Sequence, residues 1–148
     1  MSKRPFLLLE VLIALALVAL CAIPLIVKPI RAYRGELKNL EAAERERLAD
    51  WTFSEIKEEL YRNKIPWEKI PKLHETKGPF PLEPGNIYIP GHEPKEIERS
   101  FTLFGQGEKE GEAGDLFRMI YVHILFKPTF SKKQKPYTYR VVVQRKKL

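Results

Sequence analysis

The chain has 148 residues, with 26 Lys or Arg against 19 Asp or Glu, for a formal charge of +7. That length leaves one modest domain once an apolar terminus is set aside, and the single cysteine, Cys21, excludes an intramolecular disulfide framework. The basic balance suits an acidic partner or an anionic membrane surface without choosing between them, and the sequence shows no repeat at a solenoid period.

Residues 1–5 read as a short basic leader, with Lys3 and Arg4 ahead of Pro5. Residues 6–27 are an apolar run that holds one acid, Glu10. At about 1.5 Å per helical residue this run is long enough to cross a hydrocarbon core of about 30 Å. A carboxylate within it costs about 2–3 kcal/mol, so Glu10 needs a reason to be there. The plain reason is a glutamate snorkelling to the interface from the first helical turn, where the helix dipole also favours it. Pro24 is expected to kink the segment near its far end. Lys28, Arg31 and Arg34 mark the exit from the bilayer; basic residues flank both ends, so charge alone does not orient the span. Val18-Ala19-Leu20-Cys21 lacks the small residue that a lipoprotein signal places before its cysteine. The run also stays apolar to Val27, so Cys21 reads as a small apolar residue buried in the membrane.

Residues 28–62 form the amphipathic half of the same long helix. Leu37, Leu40, Ala43, Leu48, Trp51, Ile56 and Leu60 recur at spacings of three to five and predict one apolar stripe lying on a domain. Glu41–Arg45 and Glu58–Arg62 stand in the favourable i,i+4 order. Gly35 is the weak point of the helix, costing about 1 kcal/mol against Ala. The competing reading, a free coiled coil, fits poorly with the irregular spacing and with the aromatics Trp51 and Phe53.

Residues 63–96 are rich in Pro and Gly and read as a loop region, with Asn86-Ile87-Tyr88-Ile89 as its one short strand. An antiparallel sheet is expected over residues 97–148, with strands at 97–104, 116–126 and 137–144. In the first, Ile97, Arg99, Phe101 and Leu103 share a face; in the last, Tyr137, Tyr139, Val141 and Val143 do. Residues 105–115 read as an exposed loop, and loops of this length suit an antiparallel meander. The predicted fold class is therefore α+β: a long N-terminal helix, half transmembrane and half amphipathic, packed on a small sheet of three to four antiparallel strands.

No catalytic constellation stands out, and the chain does not read as an enzyme. His74, His92 and His123 are scattered, with no paired cysteines and no Gly-rich phosphate loop; His123 falls in the strongest strand and reads as a packed or surface residue. No cofactor is implied. Glu108, Glu110, Glu112 and Asp115 are the candidates for an oxygen-liganded cation, although their order matches no calcium-loop pattern and a plain solvated loop is the simpler reading. After Asp115 no acid follows, while Arg118, Lys127, Lys132, Lys133, Lys135, Arg140, Arg145, Lys146 and Lys147 do. Within that group, Lys132, Lys133, Lys135, Arg145, Lys146 and Lys147 are the candidates for contact with nucleic acid or an acidic partner. The simpler reading is an edge strand guarded by lysines.

The stretch Arg4-Pro5-Phe6-Leu7-Leu8-Leu9-Glu10-Val11-Leu12-Ile13-Ala14-Leu15 resembles the N-terminal processing motif of type IV pilins and type II secretion pseudopilins. The family pattern is a short basic leader, a cleavage site, Phe as first mature residue and Glu four residues later; Phe6 and Glu10 fall in that register. The resemblance implies cleavage between Pro5 and Phe6 by a prepilin peptidase and N-methylation of Phe6. Glu10 would then pair with the N-terminal ammonium of a neighbouring subunit, as an assembly register. It further implies a single-pass protein of a bacterial inner membrane with a periplasmic C-terminal domain, and assembly with other pilin or pseudopilin subunits on an inner-membrane platform. The family's residue before the cut is normally Gly, sometimes Ala, where this chain has Pro5. The lack of a disulfide pair is closer to pseudopilins and minor subunits, and the retained Glu10 differs from the tip subunit of the pseudopilus. The specific motif covers residues 3–27, with the match beyond it being architectural. A DNA-binding minor pilin of competence type and an unprocessed bitopic protein are the alternatives.

Overall fold

The structure, a computed structural model, describes residues 4–112, 114–127 and 136–145. Helix α1 spans Arg4–Tyr61, and a short 3-10 turn follows at Trp67–Lys69. Four strands complete the chain: β1 (Thr76–Ile87), β2 (Lys95–Glu110), β3 (Leu116–Lys127) and β4 (Tyr137–Arg145). They form one sheet in the order β1-β2-β3-β4, each pair antiparallel, which is the expected meander with a fourth strand. The fold is α+β, a long N-terminal helix with an antiparallel sheet.

The chain divides into two units, Met1–Glu41 and Ala42–Leu148. The first is helical throughout its described residues, and the helix continues through Pro24 and Pro29. Each proline removes one backbone donor. Most apolar side chains from Phe6 to Ile30 are exposed, with Ala22 and Val27 half-buried.

In the second unit, α1 buries Leu48, Ala49, Thr52, Ile56 and Leu60, a stripe spaced by three and four. Of the predicted stripe, Leu48, Ile56 and Leu60 are in the core. Trp51 is 54% exposed and Ala43 is exposed, while Ala49 and Thr52 take inward positions. The sheet supplies Ile97, Phe101 and Leu103 from β2, Ile120, Val122, Ile124 and Phe126 from β3, and Val141 and Val143 from β4. Each such side chain is worth about 1.5–3 kcal/mol when fully buried. The Phe53 ring stacks on Tyr139 with centroids 4.4 Å apart.

The helix ends on a left-handed residue. Asn63 has φ 54°, its N–H donates to the Leu60 carbonyl at 3.2 Å, and the Lys64 N–H donates to the Glu59 carbonyl at 3.0 Å. That is the paired closure of a Schellman motif, with asparagine in the position glycine commonly takes.

Two expectations about loops are corrected. Residues 63–96, expected as a Pro- and Gly-rich loop region, contain strand β1 with Pro79, Pro81 and Pro84 inside it. A proline is tolerated on an edge strand, where the missing donor can face outward, and β1 is such an edge. The register also shifts between Lys77 and Phe80 and between Leu82 and Gly85, across the Gly78–Pro79 and Glu83–Pro84 steps. The Gly78–Pro79 bond is cis. Of the expected short strand at 86–89, Asn86 and Ile87 form the end of β1. Residues 105–110, expected as loop, continue β2 as far as Glu110, past a register shift between Gly105 and Gly107. The turn itself is closed by Gly111 N–H to the Asp115 carbonyl at 2.8 Å.

Gly105 marks the closest backbone approach. Its N–H donates to the Glu75 carbonyl and its carbonyl accepts from the His74 N–H, both at 2.9 Å. A Cβ there would lie 1.8 Å from the Lys72 carbonyl oxygen. The chain ahead of β1 is thus drawn onto β2 at a residue without a side chain.

Candidate functional site

The N-terminal half of α1 is long and apolar enough to cross a membrane. Pro5 falls in the first helical turn, where its absent donor would have had no intrahelical partner. Phe6 is 76% exposed and Glu10 is also exposed. They stand four positions apart, so both lie on one face of the helix, a turn apart. Cys21 is an exposed residue of the same helix.

The other sequence candidates do not converge. Glu108 accepts from Arg118 Nε at 2.9 Å, and Asp115 accepts from Gln144 Nε2 at 2.8 Å. Glu110 ends β2 and Glu112 is exposed in the turn. Among the described residues no three His, Cys, Asp or Glu side chains form a group that could hold a metal ion. His92 Nδ1 lies 3.3 Å from the Pro90 carbonyl, and His123 Nδ1 lies 3.0 Å from Thr138 Oγ1 on the neighbouring strand. Of the basic candidates, Lys132, Lys133, Lys135, Lys146 and Lys147 lie outside the described residues. Arg145 has its guanidinium carbon 5.9 Å from the Trp67 ring centroid.

Two arginines have roles that composition did not reveal. Arg118 counted as part of the basic end, yet it is 5% exposed. Besides Glu108, it donates from Nη1 to the carbonyls of Ile70 at 2.7 Å and Trp67 at 3.2 Å. Its guanidinium also lies 4.4 Å from the Trp67 centroid. It therefore ties the 3-10 turn to β3, donating to the C-cap carbonyl of Ile70 and sharing the Trp67 carbonyl with the Ile70 N–H. Arg99 is 3% exposed between helix and sheet. It donates from Nε to the Glu83 carbonyl at 2.7 Å and from Nη1 to Thr52 Oγ1 and Glu55 Oε2, each at 3.0 Å. Trp51 covers it at 4.8 Å, which accounts for an aromatic ring set outside the apolar stripe. The available signal was alternation: Arg99 shares a strand face with Ile97 and Phe101, and Arg118 with Ile120 and Val122. A buried cation is retained only where it is paired and hydrogen-bonded, and both are.

A groove of about 820 Å³ runs beside the outer strand β4, between it and the end of α1. Leu60, Tyr61, Ile65 and Trp67 line one side and Val142 and Arg145 the other. Compared with known protein families, characterised proteins and solved structures, the chain has no match.

Proposed function

We propose that this chain is a non-catalytic, pilin-like subunit, most similar in organisation to a minor pseudopilin. It is anchored in a bacterial inner membrane by residues 6–27 and assembles through that helix into a type II secretion pseudopilus or related type IV filament that supports protein export. The observation that carries the reading is the pairing of two halves on one helix. The first half is apolar and exposed, with Glu10 one turn from Phe6; the second forms a core with a four-stranded antiparallel sheet.

The chemistry of the motif gives each residue a task. An exposed apolar surface of this extent requires lipid or like helices around it. Cleavage between Pro5 and Phe6 creates an ammonium at Phe6, and methylation there keeps its charge. In a bundle of such helices Glu10 neutralises the ammonium of a neighbour, so a charge that is costly in isolation fixes the axial register. The sheet unit remains outside the bilayer, in the periplasm.

The test is the intact mass of the protein isolated from its own host. Loss of residues 1–5 with gain of one methyl group is expected. A full-length, unmethylated mass overturns the reading in favour of an unprocessed bitopic protein.

A further inference from the structure

The two edges of the sheet are built differently. Strand β1 carries Pro79, Pro81 and Pro84 and two register shifts, devices that keep another strand from pairing. Strand β4 runs Tyr137-Thr138-Tyr139-Arg140-Val141-Val142-Val143-Gln144-Arg145, without proline and in unbroken register with β3 from Ile124↔Tyr137 to Leu116↔Arg145. Among the described residues no strand pairs with its other side. Such an edge presents a row of backbone donors and acceptors ready for an added strand. The 820 Å³ groove lies along its second half, so a strand seated there would place alternate side chains against Leu60, Tyr61, Ile65 and Trp67.

The charges select the occupant. No acid lines the groove, β4 contains none, and Arg140 and Arg145 are exposed on it. Asp50, on the helix beside this strand, already accepts from the Tyr139 hydroxyl. A second copy offering β4 would bring a basic strand to a basic strand, and one offering β1 would bring its prolines. We infer that the free edge of β4 is a docking site for an extended segment of a different protein, apolar and acidic in alternation. This inference does not depend on the processing of the N-terminus.

The probe is a pool of nine-residue peptides that alternate Glu with randomised Val, Ile, Thr or Tyr. It is added at millimolar concentration to the full chain in detergent micelles, with amide hydrogen exchange read strand by strand. Slowing of β4 amide exchange by about fivefold or more is expected, with β1 unchanged. A matched pool with Lys for Glu, and the acidic pool N-methylated on alternate residues, should both leave β4 unchanged. Arg140→Glu, on the face that the glutamates meet, should weaken the acidic pool about tenfold while β2 and β3 keep their protection, which separates lost docking from lost folding. Unaltered β4 exchange with the acidic pool overturns the inference, as does equal protection by the lysine or N-methylated pools. Protection of β4 that grows with protein concentration alone assigns the edge to a second copy and also overturns it.

Discussion

The Tyr139 hydroxyl on β4 donates to Asp50 Oδ1 on α1 at 2.6 Å, beneath the Phe53 ring stacked on the same phenol. Burial first, and then this hydrogen bond to a carboxylate, push the Tyr139 phenol above its ordinary value of 10.0. A phenol raised on folding contributes stability that is present below the unfolded value and is lost as pH rises past it. The denaturation midpoint is therefore expected to be insensitive to this group up to about pH 10 and to fall above it. Tyr139→Phe should flatten that alkaline fall and cost about 1 kcal/mol at neutral pH, since the partner carboxylate is partly solvated. Urea unfolding of both proteins across that pH range provides the measurement.

Arg99 tests whether a buried cation holds the sheet to the helix. Arg99→Ala leaves the Glu83 carbonyl and the Thr52 hydroxyl without their donor and opens a cavity beneath Trp51, for a loss of about 3 kcal/mol. Arg99→Lys should recover little of this, because an ammonium cannot reproduce the fork of the guanidinium. Arg99→Met fills the volume and removes the charge, and should lose about half as much as Ala. Equal losses for Met and Ala in thermal or urea unfolding would mean that the polar contacts, rather than packing, dominate at this site.

Gly105→Ala is expected to be severe. The added methyl meets the Lys72 carbonyl at 1.8 Å, and that backbone is held by two hydrogen bonds to Gly105 itself. Relief requires the segment ahead of β1 to lift, at a cost of about 3 kcal/mol or more. Loss of exchange protection at the His74 and Gly105 amides should accompany the drop in stability.

Asn63 offers a milder backbone test. In the left-handed conformation Asn63→Gly should be neutral or slightly stabilising, while Asn63→Val should cost about 1–2 kcal/mol. A similar effect for both variants in unfolding experiments would show that the Asn63 side chain, and not the backbone conformation, closes the helix.

Glu10→Ala should leave the sheet unit as stable as before, because Glu10 is an exposed residue of the apolar half of α1. If the carboxylate is an assembly register, the variant should insert and be processed yet be lost from filaments, with Glu10→Gln equally defective. Normal incorporation, read by the filament-associated fraction of the protein, would reduce Glu10 to a tolerated interfacial acid.

Local pattern alone determined much of this chain. An apolar run of bilayer length needs no tertiary partner to be recognised, and neither does the period of the charged half of α1 or the alternation in β3 and β4. The register of Phe6 and Glu10 is likewise a property of spacing. What local pattern misread depends on neighbours. Prolines at 79, 81 and 84 signal a break unless the strand is an edge, and only the sheet order makes β1 an edge. The Gly- and Glu-rich stretch at 105–110 lacks strand propensity, and is held in β2 by pairing with β3 across a shifted register. Arg118 counts as a surface charge until three carbonyl and carboxylate groups, remote in sequence, converge on it. Trp51 belongs to the apolar stripe by spacing, yet the structure sets it over Arg99, and Thr52 takes the inward place as the guanidinium's acceptor. Spacing along the chain thus determined α1, β3 and β4, while β1 and the end of β2 depended on strand pairing. Which polar groups could be buried was decided only by the fold, because burying a charge requires partners that no single segment supplies.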